Sequence, residues 1–448
     1  MLIDIIDDHQ SLCELRRDWD AVYDSDPESH FFLSWTWMSK WLGDVIQPWI
    51  VLAARPETGE MGYVAFFPLR VQTRLRKDGV LFNELQVACQ ATNDFTGLIC
   101  RPEHDNDAIP AMARHLAAMK WAVLDLTWVR ASDKRFELLL SGFVEREFKV
   151  NVPETPAGEG DTDYRVSLYV DLPTTWDAYL DEKLSAKTRQ RIRNYLRKVE
   201  GGDRFRVTYP TEATIERDLD ILLRFWAARW GHEVRGKLSS IQEIDRTMLR
   251  HCFDEGVLFM PVLWEGERPL GTVATLIDRR HRTILFKLFG RDETFQNPSP
   301  GVILIALAIR HAIGEGFERC DFLQGNHAYK YTFGVDEFQL KHCLVLRKSA
   351  RSLTDCLDAR WLVWACRAVE NARQTGQIGE TDKSYRQILK VDPGQAEARL
   401  ALAESLARKG HHAAAERVRD ALVRGGNAAD PEDGHRRDAR GRPRRRGR

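Results

Sequence analysis

Four side chains that carry or exchange protons stand close together in the second half of this chain. They are Asp321, His327, Tyr329 and Lys330, and they fall within ten residues. Carboxylate, imidazole and phenol groups are the side chains that act most often as general acids and bases, and an ammonium group pairs with anions. This spacing therefore predicts proton transfer next to a charged group.

A predicted helix start lies just upstream of these residues. Ser299 supplies a cap residue, Pro300 a fixed φ and Gly301 a permissive backbone, and an apolar run to Ile309 follows. The first N–H groups of a helix have no partner within it, so they point outward and can hold a pyrophosphate. The segment predicts an anion site formed mainly by the backbone.

The surrounding pattern predicts the elements that must position these groups. Three strands, 257–264, 271–277 and 283–289, are joined by turns, and a helix over 302–313 and a strand over 319–323 follow. The proton-carrying residues then lie at the end of the last strand. An earlier helix over 215–230 has an apolar stripe at helical spacing.

These features resemble the CelD/BcsL group of GNAT-type acyltransferases, whose second half looks like the FemAB peptidyltransferases. The resemblance is carried by the Ser-Pro-Gly turn at 299–301, the strand end at 321–325, the Tyr329-Lys330 pair, and Arg229-Trp230 at the end of the upstream helix. It covers roughly residues 30 to 348 and is strongest from 176 to 333. It implies tandem GNAT domains and an acyl-CoA donor, with acetyl-CoA as the expected one.

Acyl transfer from a thioester requires a CoA site, donors near the thioester oxygen, and two proton transfers. Tyr329 is predicted to protonate the leaving thiolate, and His327 to accept the proton of the nucleophile directly or through water. Asp321 is predicted to orient either group, and Lys330 to pair with phosphate or an anionic acceptor. The alternative is that Tyr329 caps the sheet and His327 is structural.

The residues predicted to bind CoA are Ser299, Gly301, Gly325 and Lys330. No metal is expected, because the eight cysteines are scattered without a C-x-x-C pair or a histidine spaced for zinc. Free thiols in a reducing compartment are the expectation.

The N-terminal half gives a weaker pattern. Ser34 is predicted to cap a helix whose Trp37 and Trp41 face the core. Strands are predicted over 49–54, 62–71, 81–89 and 123–129, with a helix over 108–120 between the last two. Asn93-Asp94-Phe95 falls between strands and matches a recurring position of the family that the chain resembles, although an Asn-Asp pair in a loop is usually a turn.

A basic segment over 187–198 contains six Lys or Arg residues and no acidic residue. Arg189, Arg193 and Arg197 share one helical face. A solvated surface, a contact for CoA phosphates or an anionic substrate, and an RNA contact all fit this charge.

The fold class predicted is α/β (α+β), with tandem GNAT-like domains followed by an all-α region that resembles tetratricopeptide repeats. The boundaries expected are 1–155, 160–348 and 351–424, with an Arg-rich disordered tail at 425–448 and a linker over 151–163. Gly376 and Gly410 lie 34 residues apart, which is the period of that repeat. Two repeats are too few to stand alone, so this region is expected to pack on the preceding helix, over 351–369, or on a protein partner.

The chain has 66 basic and 66 acidic residues, so its formal net charge is zero. A whole-surface attraction to nucleic acid or anionic lipid is therefore not expected. The apolar run from Val302 to Ile309 is far shorter than the ~20 residues that cross a bilayer. Residues 1–10 lack the basic start of a signal peptide, so a cytoplasmic location without a membrane span is expected.

The function predicted is an N- or O-acyltransferase acting in envelope, exopolysaccharide or cellulose metabolism. Its acceptor would be an unidentified amine or hydroxyl, such as a sugar. One alternative is a FemAB-like aminoacyl transferase that uses charged tRNA. Another is a non-catalytic scaffold of a polysaccharide synthase.

Overall fold

The structure is a computed structural model that describes residues 1–57, 62–89, 93–154, 162–232, 236–348, 356–376 and 381–423. The predicted tail at 425–448 and part of the predicted linker lie outside these residues. The chain divides into two compact units. The larger comprises residues 1–72, 84–119 and 123–348, and the smaller comprises 73–83, 120–122 and the residues after 348.

Two mixed β-sheets with helices on them make up the larger unit. The strands are β1 (Leu2–Ile6), β2 (Trp49–Arg55), β3 (Ala65–Leu75), β4 (Leu81–Val87), β5 (Ile99–Cys100), β6 (Val123–Val129), β7 (Phe148–Asn151), β8 (Val166–Asp171), β9 (Phe205–Thr208), β10 (Leu258–Phe259), β11 (Val262–Glu265), β12 (Arg268–Asp278), β13 (Thr283–Arg291), β14 (Arg319–Gln324), β15 (Asp336–Gln339) and β16 (Lys341–Arg347). The helices are α1 (His9–Glu14), α2 (Arg16–Ser25), α3 (Trp35–Asp44), α4 (Asp105–Ala118), α5 (Asp133–Leu140), α6 (Trp176–Glu182), α7 (Ala186–Glu200), α8 (Ile215–Trp230), α9 (Leu238–Asp254), α10 (Pro300–Gly314) and α11 (Ala328–Tyr331).

The first sheet has the order β1-β2-β3-β4-β6-β16-β7, with β5 beside β3. Helix α3 begins as predicted, because the Ser34 hydroxyl accepts the N–H of Trp37 at 3.3 Å. Trp37 and Trp41 are buried in the core. The aromatic density of this segment therefore serves packing.

The second sheet has the order β15-β8-β14-β13-β12-β11-β9, with β10 beside β12. The predicted meander is β11, β12 and β13, which pair antiparallel. Strand β14 then lies parallel to β13 after the crossover through α10. The prediction of tandem GNAT-like α/β halves is confirmed at the level of the fold.

Strand β16 departs from the predicted boundary at residue 348. It lies in the sequence of the second half but pairs antiparallel with β6 and β7 of the first sheet. Its inward side chains, Cys343 and Val345, are buried there. Local periodicity identifies a strand but not its partner, so this return to the first sheet is not visible in the sequence pattern.

The smaller unit contains α12 (Leu362–Gln374), α13 (Asp382–Val391), α14 (Ala396–Arg408) and α15 (His412–Val423). Gly376 and Gly410 follow α12 and α14, each with positive φ, 68° and 83°. Glycine ends helices in this conformation without a Cβ penalty. The 34-residue spacing therefore marks two equivalent helix ends.

Residues 73–83 belong to the smaller unit through a buried amide. The Gln387 side chain accepts the N–H of Leu81 at 2.8 Å and donates to its carbonyl at 2.7 Å. The Ser384 hydroxyl donates to the carbonyl of Gly79.

We expect Gln387→Leu to lower the free energy of unfolding of the smaller unit by about 2 kcal/mol, because two buried backbone groups lose their partner. Denaturant titration followed by circular dichroism measures this change. Lys390→Gln, at an exposed position of the same helix, is the control and should have little effect. Equal midpoints for the two variants would contradict the assignment.

Candidate active site

A gap between β13 and β14 forms the main cavity of the second half. The two strands pair over three positions, the last of which joins Leu285 to Asp321. Beyond that point a cavity of about 580 Å³ lies between them, lined also by α8, α10 and α11. Phe286 and Phe322 lie at the closed end of the gap with ring centroids 4.6 Å apart.

Strand β14 is irregular where the gap opens. Its pairing with β8 shifts register between Asp321 and Leu323, and Leu323 has a φ of 60°. A branched residue rarely adopts this left-handed conformation, so the surrounding contacts must hold it. One such contact is the Asp321 carboxylate, which accepts the N–H of Leu323 at 2.8 Å.

The Lys330 ammonium is the second contact that holds this bulge. It donates to the carbonyls of Phe322 at 2.8 Å, Leu323 at 3.4 Å and Gln324 at 2.5 Å. Burial lowers the pKa of Lys330 to about 8, so the group is still mainly charged at neutral pH. Three acceptors use all three donors of an ammonium. The phosphate role predicted for Lys330 is therefore not what this geometry provides.

Asp321 does not lie with the other predicted catalytic residues. Its second oxygen accepts from Arg130 of the first half at 2.5 Å. The Arg130 guanidinium lies between the rings of Phe95 and Phe338. Asp321 lines a separate cavity of about 440 Å³, so its contacts fix the backbone and do not orient Tyr329 or His327.

Tyr329 and His327 do lie together, at the mouth of the main cavity. Their ring centroids are 6.1 Å apart, and the Thr162 hydroxyl lies 3.2 Å from Nδ1 of His327. The Tyr329 side chain is half-exposed at the surface, yet protein atoms surround its ring closely enough to raise its pKa to about 12. Tyr329 is therefore a protonated phenol at neutral pH.

Gly325 shapes the turn that follows β14, beside His327. It has a φ of 88°, and its N–H donates to the carbonyl of Val166 at 2.8 Å. A Cβ here would lie 3.0 Å from Nε2 of His327. Glycine thus allows both the turn after β14 and the close approach of the imidazole.

The start of α10 lines the cavity as predicted, through Ser299, Gly301 and Val302. The Ser299 side chain caps no N–H group, and Pro300 has none, so the first backbone donors of this helix remain available. A Cβ on Gly301 would meet the Phe289 ring at 3.1 Å. A larger residue here would require the Phe289 ring to shift by a few tenths of an ångström.

Arginines from three elements surround the cavity: Arg191 of α7, Arg229 of α8 and Arg291 of β13. The Nε of Arg191 is buried, and no described group accepts from it. Arg189 and Arg193 of the same basic helix form ion pairs with Asp181 instead. In this basic segment, Arg189 and Arg193 thus form surface ion pairs, and Arg191 lines the cavity.

Asp94 and Lys287 also line the cavity, and the sequence analysis did not select them. Lys287 is a charged residue in the middle of an otherwise apolar stretch of β13, a signal that could have identified it. Its Nζ lies 3.9 Å from a carboxylate oxygen of Asp94. Burial raises the pKa of Asp94, and Lys287 opposes the rise. Asp94 had been interpreted as part of a turn.

Strand β6 of the first half has a bulge similar to that of β14, but the gap beside it is closed. Strands β4 and β6 pair parallel as far as Asp125, whose carboxylate accepts the N–H of Thr127 at 2.9 Å. Trp128 then has a φ of 59°. In the first half, the segment containing Thr96 fills the space that is open in the second half. The N–H of Thr96 donates to the carbonyl of Trp128 at 3.0 Å.

That closing segment is what carries Asp94 into the cavity of the second half. Trp37 of α3 fixes it, since its indole N–H donates to the Asn93 side chain at 3.0 Å. Helix α4 occupies the place that α10 has in the second half, and its first turn contains Asp105 and Asp107. Carboxylates at a helix N-terminus are unfavourable for a bound pyrophosphate.

Two further structural observations apply to the part of the chain that is described. No three His, Cys, Asp or Glu side chains there are arranged to hold a metal ion. No helix there is both long and apolar enough for a bilayer span.

Comparison with known families and structures agrees with this geometry. Residues 186–331, which span α7 to α11, match the model of the acetyltransferase (GNAT) domain. The match covers this segment only, which is identified as a GNAT-type acetyltransferase domain and supports an acyl-transfer enzyme. No curated protein matches the chain in sequence.

Solved structures are similar to the chain in fold at low sequence identity. FemX superposes with a TM-score of 0.53 at 11% identity, covering 78% of this chain and 98% of FemX. A tandem GNAT protein from the clavulanic acid biosynthesis pathway gives a TM-score of 0.44 at 10% identity, covering 77% and 98%. L-PGS from Bacillus licheniformis gives 0.42 at 12% identity, covering 74% and 91%.

We expect Lys330→Met to lower the free energy of unfolding by about 2 kcal/mol, because buried carbonyls of β14 lose their donor. Acyl-CoA affinity should fall with it, since the bulge that opens the cavity is no longer held. Urea unfolding and calorimetric titration measure the two effects. Lys149→Met, at an exposed position of β7, is the control. A variant as stable as the control would show that the bulge does not depend on Lys330.

Proposed function

We propose that this protein transfers an acyl group from acyl-CoA, with acetyl-CoA as donor, to an amine or hydroxyl acceptor. The observation that carries the proposal is the start of α10, whose free N–H groups face a cavity with unpaired Arg191 Nε nearby. A helix N-terminus and a guanidinium together suit a pyrophosphate.

The proposed chemistry uses residues from both halves. The nitrogen or oxygen of the acceptor attacks the thioester carbonyl, and Asp94 takes the proton that this atom loses. A carboxylate with a raised pKa is a stronger base, which suits Asp94 to this role. The Lys287 ammonium stabilises the negative charge that develops on the carbonyl oxygen. The C–S bond then breaks, and Tyr329 donates its phenol proton to the thiolate. Solvent returns a proton to Tyr329 and removes one from Asp94.

His327 is proposed to orient Tyr329 and to exclude water at the mouth. The base role first predicted for it is proposed for Asp94, since the Asp94 carboxylate lies 3.9 Å from Lys287, whereas the His327 ring lies beside Tyr329. A role in envelope or exopolysaccharide metabolism in the cytoplasm rests on the resemblance to the CelD/BcsL group. The helical hairpins of the smaller unit, with their tetratricopeptide-like spacing, are proposed to bind a protein partner.

An aminoacyl transfer from charged tRNA is the second candidate. A basic groove on α7, lined by Lys187, Arg191, Arg197 and Lys198 and by no acidic residue, favours it. Because Arg191 lines both this groove and the main cavity, a polyanion bound along α7 would lead into the site.

Thermal shift with acetyl-CoA, longer acyl-CoAs and tRNA distinguishes the candidates, since a ligand of the native state raises the melting temperature. Thiol release from acetyl-CoA in the presence of amines and sugars then tests turnover. Stabilisation by acetyl-CoA and release that depends on an acceptor are expected. Stabilisation by tRNA alone would favour aminoacyl transfer instead.

Arg191→Gln should weaken acetyl-CoA binding about tenfold, because a charge-assisted hydrogen bond to phosphate is worth about 1.5 kcal/mol or more. Isothermal titration measures the affinity. Arg193→Gln changes the same helix at a surface ion pair and should bind acetyl-CoA normally. Equal losses in both variants would indicate a general charge effect.

Tyr329→Phe removes one hydroxyl and keeps the ring, so the fold and the acyl-CoA affinity should be nearly unchanged. The rate of transfer should fall about 10²- to 10⁴-fold, the usual contribution of a general acid. Because the pKa of Tyr329 is about 12, the wild-type phenol stays protonated through neutral pH. Stopped-flow thiol detection measures the rate, and a wild-type rate would exclude Tyr329 as the acid.

A further inference from the structure

A second buried carboxylate contacts the lysine of the proposed site. Lys287 Nζ lies 3.9 Å from an oxygen of Asp94 and 3.9 Å from an oxygen of Asp245. The Lys287 side chain is 9% exposed and that of Asp245 is 10% exposed. Asp245 belongs to α9 and does not line the cavity, so it acts on the site through its contact with Lys287 and through its charge near Asp94.

We propose that Asp245 is a positioning residue that holds the Lys287 ammonium midway between two carboxylates and thereby keeps Asp94 a strong base. This inference rests on the proposed function for its catalytic meaning. Its structural part concerns three side chains and is independent of any substrate.

The physical reason is that one ammonium is shared by two anions. An ion pair stabilises the charged form of a carboxylate and makes it a weaker base. Without the charge of Asp245, Lys287 would be drawn towards Asp94. The repulsion between the carboxylates of Asp245 and Asp94 would also be lost. Both changes favour ionised Asp94, so its pKa would fall.

The other charged groups around Asp94 are already engaged. Lys330 of α11 and Asp321 of β14 both influence Asp94 electrostatically. Lys330 donates to three carbonyls of β14, and Asp321 pairs with Arg130. Lys287 lies 3.9 Å from both Asp94 and Asp245, so a change at Asp245 alters the charge beside it.

The test measures the pKa of Asp94 directly, without substrate. In protein labelled with ¹³C at the aspartate carboxyl carbons, the Asp94 resonance is assigned by its loss in Asp94→Asn and then followed through a pH titration. We expect Asp245→Asn to lower this pKa by about one unit, the size expected for removing a nearby charge at an effective dielectric of ~20. Asp245→Glu keeps the charge and should stay closer to the wild-type value.

Glu243→Gln, at an exposed position of the same helix, is the matched control and should leave the titration unchanged. An Asp94 pKa that is equal in wild-type protein and in folded Asp245→Asn would overturn the proposal. The acidic limb of kcat/KM should move to lower pH by the same amount as the pKa, with KM for acyl-CoA unchanged. A shifted pKa without any acyl transfer would support the positioning role and count against the proposed function instead.

Discussion

The rest of the site depends on one constraint, the hydrogen bonds that the Lys330 ammonium donates to three carbonyls of β14. Leu323 stands in a left-handed conformation, and three successive carbonyls turn towards one amine. Asp321 holds the same bulge through the N–H of Leu323. A regular strand would continue beside β13 and close the gap. The opening between β13 and β14 is thus maintained by contacts within β14 and from Lys330.

The first half shows what happens when the same bulge is closed by the chain itself. Thr96 donates to the carbonyl of Trp128, so the gap after β4 is filled by backbone. The segment that fills it also presents Asp94 to the cavity of the second half. Both halves belong to one compact unit. One half provides the opening, and the other provides a charged residue for it.

Local chemistry in the sequence predicted much of this correctly. The Ser34 cap, the meander and the helix after Ser299 depend on contacts within a few residues, so their patterns are visible in the chain. The sequence placed Tyr329 and His327 together because a short turn joins them. It did not show that the Lys330 donors go to backbone carbonyls, because an isolated lysine near a predicted anion site gives no indication of such contacts.

By itself, the sequence determined which segments form helices and strands, and where α10 begins. It also indicated that the titratable residues of segment 321–330 lie at the end of a strand. Only the tertiary structure decided which charged groups meet there. Asp94, Lys287 and Asp245 come from three distant segments, and no local periodicity encodes their approach. The pairing of β16 with the first sheet is of the same kind. Such contacts arise when separate elements bury their apolar faces against one another, which fixes the neighbours of each charge.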